Sequence, residues 1–233
     1  MDANDLKRRA AAAALDLVEP DMILGLGTGS TAAAFVDQLG ERVRDGLSVS
    51  GIATSEATRA QAASVGVDII EPDETTEIDL AVDGADEIGP RLALIKGGGG
   101  ALLREKIIAD AAKKFVVIAD ASKRVATLGA FPLPVEIDQF SWGLTVKRLR
   151  EALGDAGFDQ PTLTLRAGAN GAPFLSDGGN FIIDCKLGRI EDPAAPDLAL
   201  RALPGVVETG LFIGIADTAF VADENGVERL SHS

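Results

Sequence analysis

Apolar residues at helical spacing run from Asp5 to about Val18 and stop at Glu19-Pro20-Asp21, which predicts a first helix over 5–18. The apolar run 22–26 is short and unbroken, as in a buried strand. Gly27-Thr28-Gly29-Ser30 follows it, and helical spacing resumes as far as Leu39. The alternation then repeats, with a strand over 48–54, a helix over 55–65 and a short strand over 68–71. Ser55 is placed to cap that helix, with Thr58 in its first turn. Apolar runs at 78–82 and 92–95, a helix over 101–112 and a strand over 115–119 continue the pattern. Strands alternating with helices imply right-handed crossovers and a mostly parallel sheet.

The rhythm changes at Phe131-Pro132-Leu133-Pro134. Beyond it the pattern predicts a strand over 135–137, a helix over 144–153, strands over 162–166 and 181–186, and a helix near 198–203. Closing strands are expected over 206–215 and 219–222. This β-α-β-β-α-β order is that of a small ferredoxin-like unit. The expected fold is α/β: a doubly wound, mostly parallel, Rossmann-like sheet with a smaller ferredoxin-like α+β domain. Residues 1–130 and 207–233 are assigned to the first domain and 131–206 to the second.

Composition narrows the chemistry. The 233 residues are 46% hydrophobic and 25% charged, enough apolar material for a sizeable core. Asp and Glu number 36 against 22 Lys and Arg, a net charge of −14. A field of that sign repels polyanions, so nucleic acid and anionic membranes are not expected partners. It is also the balance expected of a salt-rich cytoplasm. A single cysteine, Cys185, permits no internal disulfide and no thiolate zinc cluster, and on its apolar strand it reads as an inert buried thiol. The single histidine, His232, is next to last, which argues against Ser-His-Asp or Cys-His catalysis and His-rich metal sites. Carboxylates and lysines remain as proton-transfer groups. The Ala-rich opening is interrupted by Asp16 and Glu19, so no signal peptide is expected. No apolar run reaches the roughly 18 residues of a membrane span. A cytoplasmic protein is expected. Phe140 and Trp142 are expected in the core.

The polar and Gly-rich clusters all follow predicted strands, where ligands of open parallel sheets bind. Gly25-Leu26-Gly27-Thr28-Gly29-Ser30-Thr31 offers a helix N-terminus and hydroxyls to a small anion. It is neither the dinucleotide fingerprint, since Ser30 replaces the third glycine, nor a Walker loop. It is equally a tight strand-to-helix turn. Asp83-Gly84-Ala85-Asp86-Glu87 packs three acids that repel one another. They suit sugar hydroxyls, Mg²⁺ or proton relay, or else a solvated turn. Lys96 followed by Gly97, Gly98, Gly99 and Gly100 suits close approach of backbone N–H groups to a ligand, with a cation at the mouth. Glu105, between Arg104 and Lys106, reads on its own as a surface residue in helical charge pairing. Lys7 and Lys123 are equally surface cations on their own.

Together these residues resemble the type A ribose-5-phosphate isomerase family over nearly the whole chain. The resemblance is carried by Gly27-Thr-Gly-Ser-Thr31, Ser55-Glu-Ala-Thr58, Val82-Asp-Gly-Ala-Asp-Glu-Ile88 and Ile95-Lys-Gly-Gly-Gly99. It continues in Arg104-Glu-Lys-Ile-Ile108, Ile118-Ala-Asp-Ala-Ser-Lys123, Phe131-Pro-Leu-Pro-Val-Glu136 and Pro204-Gly-Val-Val207. Residues 154–176 resemble the family least. The resemblance implies interconversion of ribose 5-phosphate and ribulose 5-phosphate through a cis-enediolate, without metal or organic cofactor. It implies that Glu105 shuttles the proton between C1 and C2. Asp83, with Asp86, assists ring opening or proton transfer between substrate oxygens. Lys96 and the backbone of Gly97, Gly98 and Gly99 stabilise the enediolate oxygens. Thr28, Gly29, Ser30 and Thr31, with Lys7 and Lys123, hold the phosphate and nearby hydroxyls, and Gly84 and Ala85 line the substrate. A homodimer or homotetramer is implied as well. A sugar-phosphate deaminase, a CoA-transferase-like enzyme and a non-enzymatic sugar-phosphate sensor are the competing expectations. The lack of an internal histidine weakens the deaminase, and the set Asp83, Lys96 and Glu105 weakens the sensor.

Overall fold

A computed structural model describes residues 2–231, so His232 lies outside the described residues. Residue Asp2 starts the first helix with a reciprocal cap: its carboxylate accepts the Asp5 N–H (2.8 Å) while Asp5 accepts the Asp2 N–H (3.0 Å). In chain order the first elements are α1 (Ala3–Leu15), β1 (Ile23–Leu26), α2 (Ser30–Arg44), β2 (Ser50–Ala53), α3 (Glu56–Ser64) and β3 (Asp68–Ile69). Then come β4 (Leu80–Asp83), β5 (Glu87–Ile88), β6 (Leu94–Ile95), α4 (Leu102–Ala111), β7 (Phe115–Asp120) and β8 (Leu133–Ile137). The remainder is α5 (Trp142–Asp155), β9 (Thr162–Leu165), β10 (Phe181–Lys186), α6 (Ala194–Arg201), β11 (Val206–Thr209), β12 (Leu211–Phe212), β13 (Thr218–Ala222) and β14 (Val227–Ser231).

The chain divides into two compact units. The larger comprises Met1–Ala85, Arg104–Arg124 and Gly214–Ser233. Its seven-stranded sheet has the order β14-β13-β7-β4-β1-β2-β3, parallel throughout except for β14. The unbroken apolar runs of β1 and β7 follow from burial on both faces. Ala10, Ala14 and Leu15 of α1 and Phe35 and Leu39 of α2 close over Leu24, Leu26, Val82 and Ile118 to make the core. From β1 the chain builds outward through β2 to β3, then returns to lay β4 on the other side of β1. Strand order therefore reverses between β1 and β4.

The smaller unit comprises Asp86–Leu103 and Val125–Ile213. Its four-stranded antiparallel sheet, β11-β8-β10-β9, carries α5 and α6 in the β-α-β-β-α-β order of a ferredoxin-like fold. Leu133, Val135, Leu149, Leu153, Ile183 and Leu200 form its core. A second antiparallel sheet, β12-β6-β5, belongs to the same unit.

Some expectations change. The single strand expected over 206–215 is two, β11 and β12, because the chain turns from one sheet to the other at Gly210. There the N–H bonds Pro134 O (2.8 Å) and the carbonyl accepts the Lys96 N–H (2.9 Å). The exposed edge strand β14 and two-residue β5 have too little apolar pattern to be read in advance. Phe140 and Trp142 are not core residues. The buried face of α5 is Thr145, Leu149 and Leu153, at intervals of four, whereas Trp142 is the first residue of the helix and Phe140 precedes it. Phe140 is 85% exposed, and Trp142, exposed as well, meets Phe181 edge-on at 6.2 Å. Cys185 is fully buried, and burial with the nearby Asp184 charge pushes its thiol well above the usual range. Among the described residues no helix is long and apolar enough to cross a membrane.

Candidate active site

The carboxyl ends of β1 and β4 meet at the reversal of strand order in the larger unit, the place where open α/β sheets bind ligands. Asp83 closes β4 and is buried. Its Oδ1 accepts the Thr28 N–H (3.0 Å) and the Gly84 N–H (2.7 Å), so the acid at the end of one strand holds the loop after its neighbour. A side chain at Gly27 would run into the Asp83 carboxylate, which explains the glycine there. Gly29 begins α2 and supplies no side-chain cap, which leaves the first-turn N–H groups of this 15-residue helix to other acceptors. Gly29 and Ser30 are exposed, Thr31 is half-buried, and Thr31 lies beside Gly84.

A chain of hydroxyls encloses this loop. Thr28 donates to Ser55 Oγ (2.8 Å), Ser55 to Thr58 Oγ1 (3.0 Å), and Thr58 to the Gly27 carbonyl (2.9 Å). Thr54 bonds the Leu26 carbonyl (3.0 Å) and reaches Thr28 Oγ1 (2.8 Å). Ser55 also caps α3 by accepting the Thr58 N–H (3.1 Å), as its position predicts. The wider role of Thr54, Ser55 and Thr58 is missing from the expected site. The signals for it are the hydroxyls directly after a strand and the Ser55-Glu-Ala-Thr58 motif.

Glu105 sits in the first turn of α4 and is only 3% exposed, so it is not the surface residue that charge pairing suggests. The neighbouring Arg104 takes a surface pairing instead, bonding Glu56 at 2.9 Å. Glu105, Asp83, Gly25, Gly27 and Thr54 line one pocket of about 10 Å³. That is room for about one water at most. Two carboxylates thus share a space almost closed to solvent.

Lys123 ends a 3-10 turn at Ala121–Lys123 directly after β7, the strand beside β4. Asp120 starts that turn by accepting the Ser122 N–H (2.9 Å). Lys7 is half-buried on α1, which packs on α2 and β7.

In the smaller unit Asp86 Oδ2 accepts the Gly98 N–H (2.7 Å), and the Asp86 N–H bonds the Ile95 carbonyl (2.8 Å). Lys96, 2% exposed, follows β6, with Nζ 5.4 Å from the centre of the Phe212 ring. Gly97 is buried, and Gly98 and Gly99 are exposed. Glu87, the third acid of its run, is buried and accepts the Gly129 and Phe131 N–H groups, both at 2.6 Å. The three acids therefore do three jobs: Asp83 holds the loop after β1, Asp86 the glycine loop and Glu87 the chain near 130. Gly84 and Ala85, both half-buried, link the first to the second. Among the described residues no cluster of three or more His, Cys, Asp or Glu side chains could hold a metal ion.

A doubly wound sheet with buried carboxylates at its reversal point defines an α/β enzyme with a small-molecule site. The model of the family described as ribose 5-phosphate isomerase A (phosphoriboisomerase A) matches residues 50–226. The Ribose-5-phosphate isomerase A of Rhodopseudomonas palustris (strain BisB18) is 56% identical over 229 residues, 97% of each chain. That of Methylorubrum extorquens is 55% identical over 97% of this chain and 95% of its own. A solved D-ribose-5-phosphate isomerase in complex with phospho-erythronic acid superposes with a TM-score of 0.92 at 40% identity, covering 99% of this chain and 100% of that one. The ribose 5-phosphate isomerase A structure from Methanocaldococcus jannaschii gives 0.90 at 39% identity, covering 97% and 98%. The chain belongs to the ribose 5-phosphate isomerase A family.

Proposed function

We propose that this protein interconverts D-ribose 5-phosphate and D-ribulose 5-phosphate through a cis-enediolate, in the non-oxidative pentose phosphate pathway. The observation that carries the mechanism is the burial of Glu105 in a pocket it shares with Asp83. Moving a proton between adjacent carbons needs one positioned carboxylate and preorganised donors for the oxygen that becomes negative. Glu105 takes the proton from C2 of the open-chain aldose and returns it to C1. The charge that develops on the substrate oxygens is held by Lys96 and the N–H groups of Gly97 and Gly99, that of Gly98 being taken by Asp86. Asp83 assists ring opening or moves the proton between the two oxygens, with Asp86 as its companion acid. The start of α2, at Gly29, Ser30 and Thr31, takes the phosphate with Lys7 and Lys123, while Thr28 shapes that loop through its hydroxyl bonds.

This chemistry uses no metal and no organic cofactor. The protein works in the cytoplasm as a homodimer or homotetramer. A direct assay tests the function: ribulose 5-phosphate formation from ribose 5-phosphate, followed with EDTA present. Sustained turnover in EDTA is the expected result. Binding without turnover would instead identify a sugar-phosphate sensor, and turnover that EDTA abolishes would place a divalent cation at the acidic run.

A further inference from the structure

Four successive glycines have little conformational preference of their own, so the groups that bind their carbonyls decide where their N–H groups point. Arg166, directly after β9, is one such group, alongside the Gly100 N–H, which also donates to the Gly97 carbonyl (3.0 Å). Its Nη1 donates to the carbonyls of Gly97 (2.9 Å) and Gly98 (3.2 Å). Its Nε and Nη2 form a fork on the two oxygens of Asp184, at 3.0 and 2.5 Å. The guanidinium also lies 5.9 Å from the centre of the Phe174 ring, and the side chain is 13% exposed. Its backbone is pinned too: the Arg166 N–H bonds Ile182 O (2.9 Å), and Arg166 O accepts the Phe174 N–H (2.8 Å).

Peptide planarity turns this clamp into an orientation. In a trans peptide the N–H points opposite to the carbonyl of the preceding residue. With the Gly97 carbonyl on Arg166, the Gly98 N–H points the other way, and it is there that Asp86 accepts it. With the Gly98 carbonyl on Arg166, the Gly99 N–H is likewise aimed away from the guanidinium. Phe174 completes the grip, because a side chain at Gly100 would run into its ring.

We infer that Arg166, buttressed by Asp184, is the positioning residue for the Gly99 N–H as an oxyanion donor of the glycine loop. The inference rests on the proposed role of that N–H toward the enediolate. Arg166 acts through the loop, since its guanidinium donates to Asp184 and to the two carbonyls.

The test measures kcat and KM for ribose 5-phosphate, and Ki for phospho-erythronate, in Arg166→Met, Arg166→Lys and Asp184→Asn. Phospho-erythronate carries a planar carboxylate, which resembles the two oxygens of the enediolate. Displacing preorganised donors predicts about 10- to 100-fold lower kcat for Arg166→Met, with KM within about threefold of wild type. Ki should rise in step with the loss of kcat. Arg166→Lys keeps the charge without the fork and should not restore kcat, and Asp184→Asn should shift kcat and Ki the same way by less. Wild-type kcat in the Arg166 variants overturns the inference, as does a raised KM at constant kcat, which would make Arg166 a phosphate ligand. A loss that merely follows a lowered Tm and disappears at lower assay temperature also overturns it. If Arg166→Met does not fold, the Lys and Asn variants carry the same comparison. A wild-type enzyme that fails to isomerise would refute the parent function, whereas an active wild type with unaffected variants refutes only the role of Arg166.

Discussion

Asp83 and Glu105 reach their places from the last residue of a buried parallel strand and the first turn of a helix. Gly97, Gly98 and Gly99 reach theirs because Asp86 holds one N–H and Arg166 holds two carbonyls. In the larger unit, regular elements carry side chains to a site. In the smaller unit, side chains carry a stretch of backbone that would otherwise have many conformations. Side chains can therefore be brought to a site by an ordinary sheet and helix, but a site made of backbone needs dedicated side chains around it. The two regions should fail differently when mutated.

The largest effect belongs to the side-chain region. Glu105→Gln keeps the shape and removes the base, so kcat should fall by about 10²- to 10⁴-fold, with KM little changed. Near-normal turnover in steady-state assays of that variant would remove Glu105 from the mechanism and with it the contrast between the regions. Gly100→Ala probes the backbone region, where φ is +85° and the added methyl meets Phe174. Both fold and turnover should suffer: a stability loss of about 1–3 kcal/mol by denaturant melt, and roughly tenfold lower kcat from the displaced loop. If stability drops while kcat holds, the loop geometry is not coupled to catalysis.

The smallest effect lies at the opposite ends of the same strands. Just before β4, Asp79 accepts the Ile23 N–H (2.9 Å) and pairs with Lys113 (3.0 Å). The Ile23 N–H first, and then Lys113, hold its carboxyl below the usual 3.8. A lowered folded-state pKa contributes stability that is present above the unfolded value and lost as pH falls through the folded one. Asp79→Asn should therefore lower Tm at pH 7 by about 2–4 °C, the scale of one net hydrogen bond in a chain of this size. That deficit should shrink as pH drops below the usual Asp value. A constant deficit from pH 7 to pH 2 would show that shape, not charge, holds these strand ends, while activity per folded molecule should be unchanged throughout.

Much of this molecule was legible from periodicity. The β1 and β7 runs, the Ser55 cap and the change of rhythm at the prolines come from local rules of burial and hydrogen bonding, which one stretch of chain states by itself. The motifs around Thr28, Asp83, Lys96 and Glu105 were equally visible, and so was the family they resemble. Phe140 and Trp142 misled because hydrophobicity alone does not say whether anything covers the chain where α5 begins. The turn from β11 to β12 was hidden because only the partners of Gly210 on two different sheets reveal it.

What the sequence determined alone is the order of the main buried strands and helices and the residue types that carry the proposed chemistry, since both follow from local spacing. Tertiary structure decided the rest. It buried Glu105 while leaving Arg104 at the surface, divided three neighbouring acids among three loops, and brought Arg166 to carbonyls some 70 residues away in the chain. The reason is that burial and hydrogen-bond partnership depend on neighbours in space, and no local pattern records who those neighbours will be.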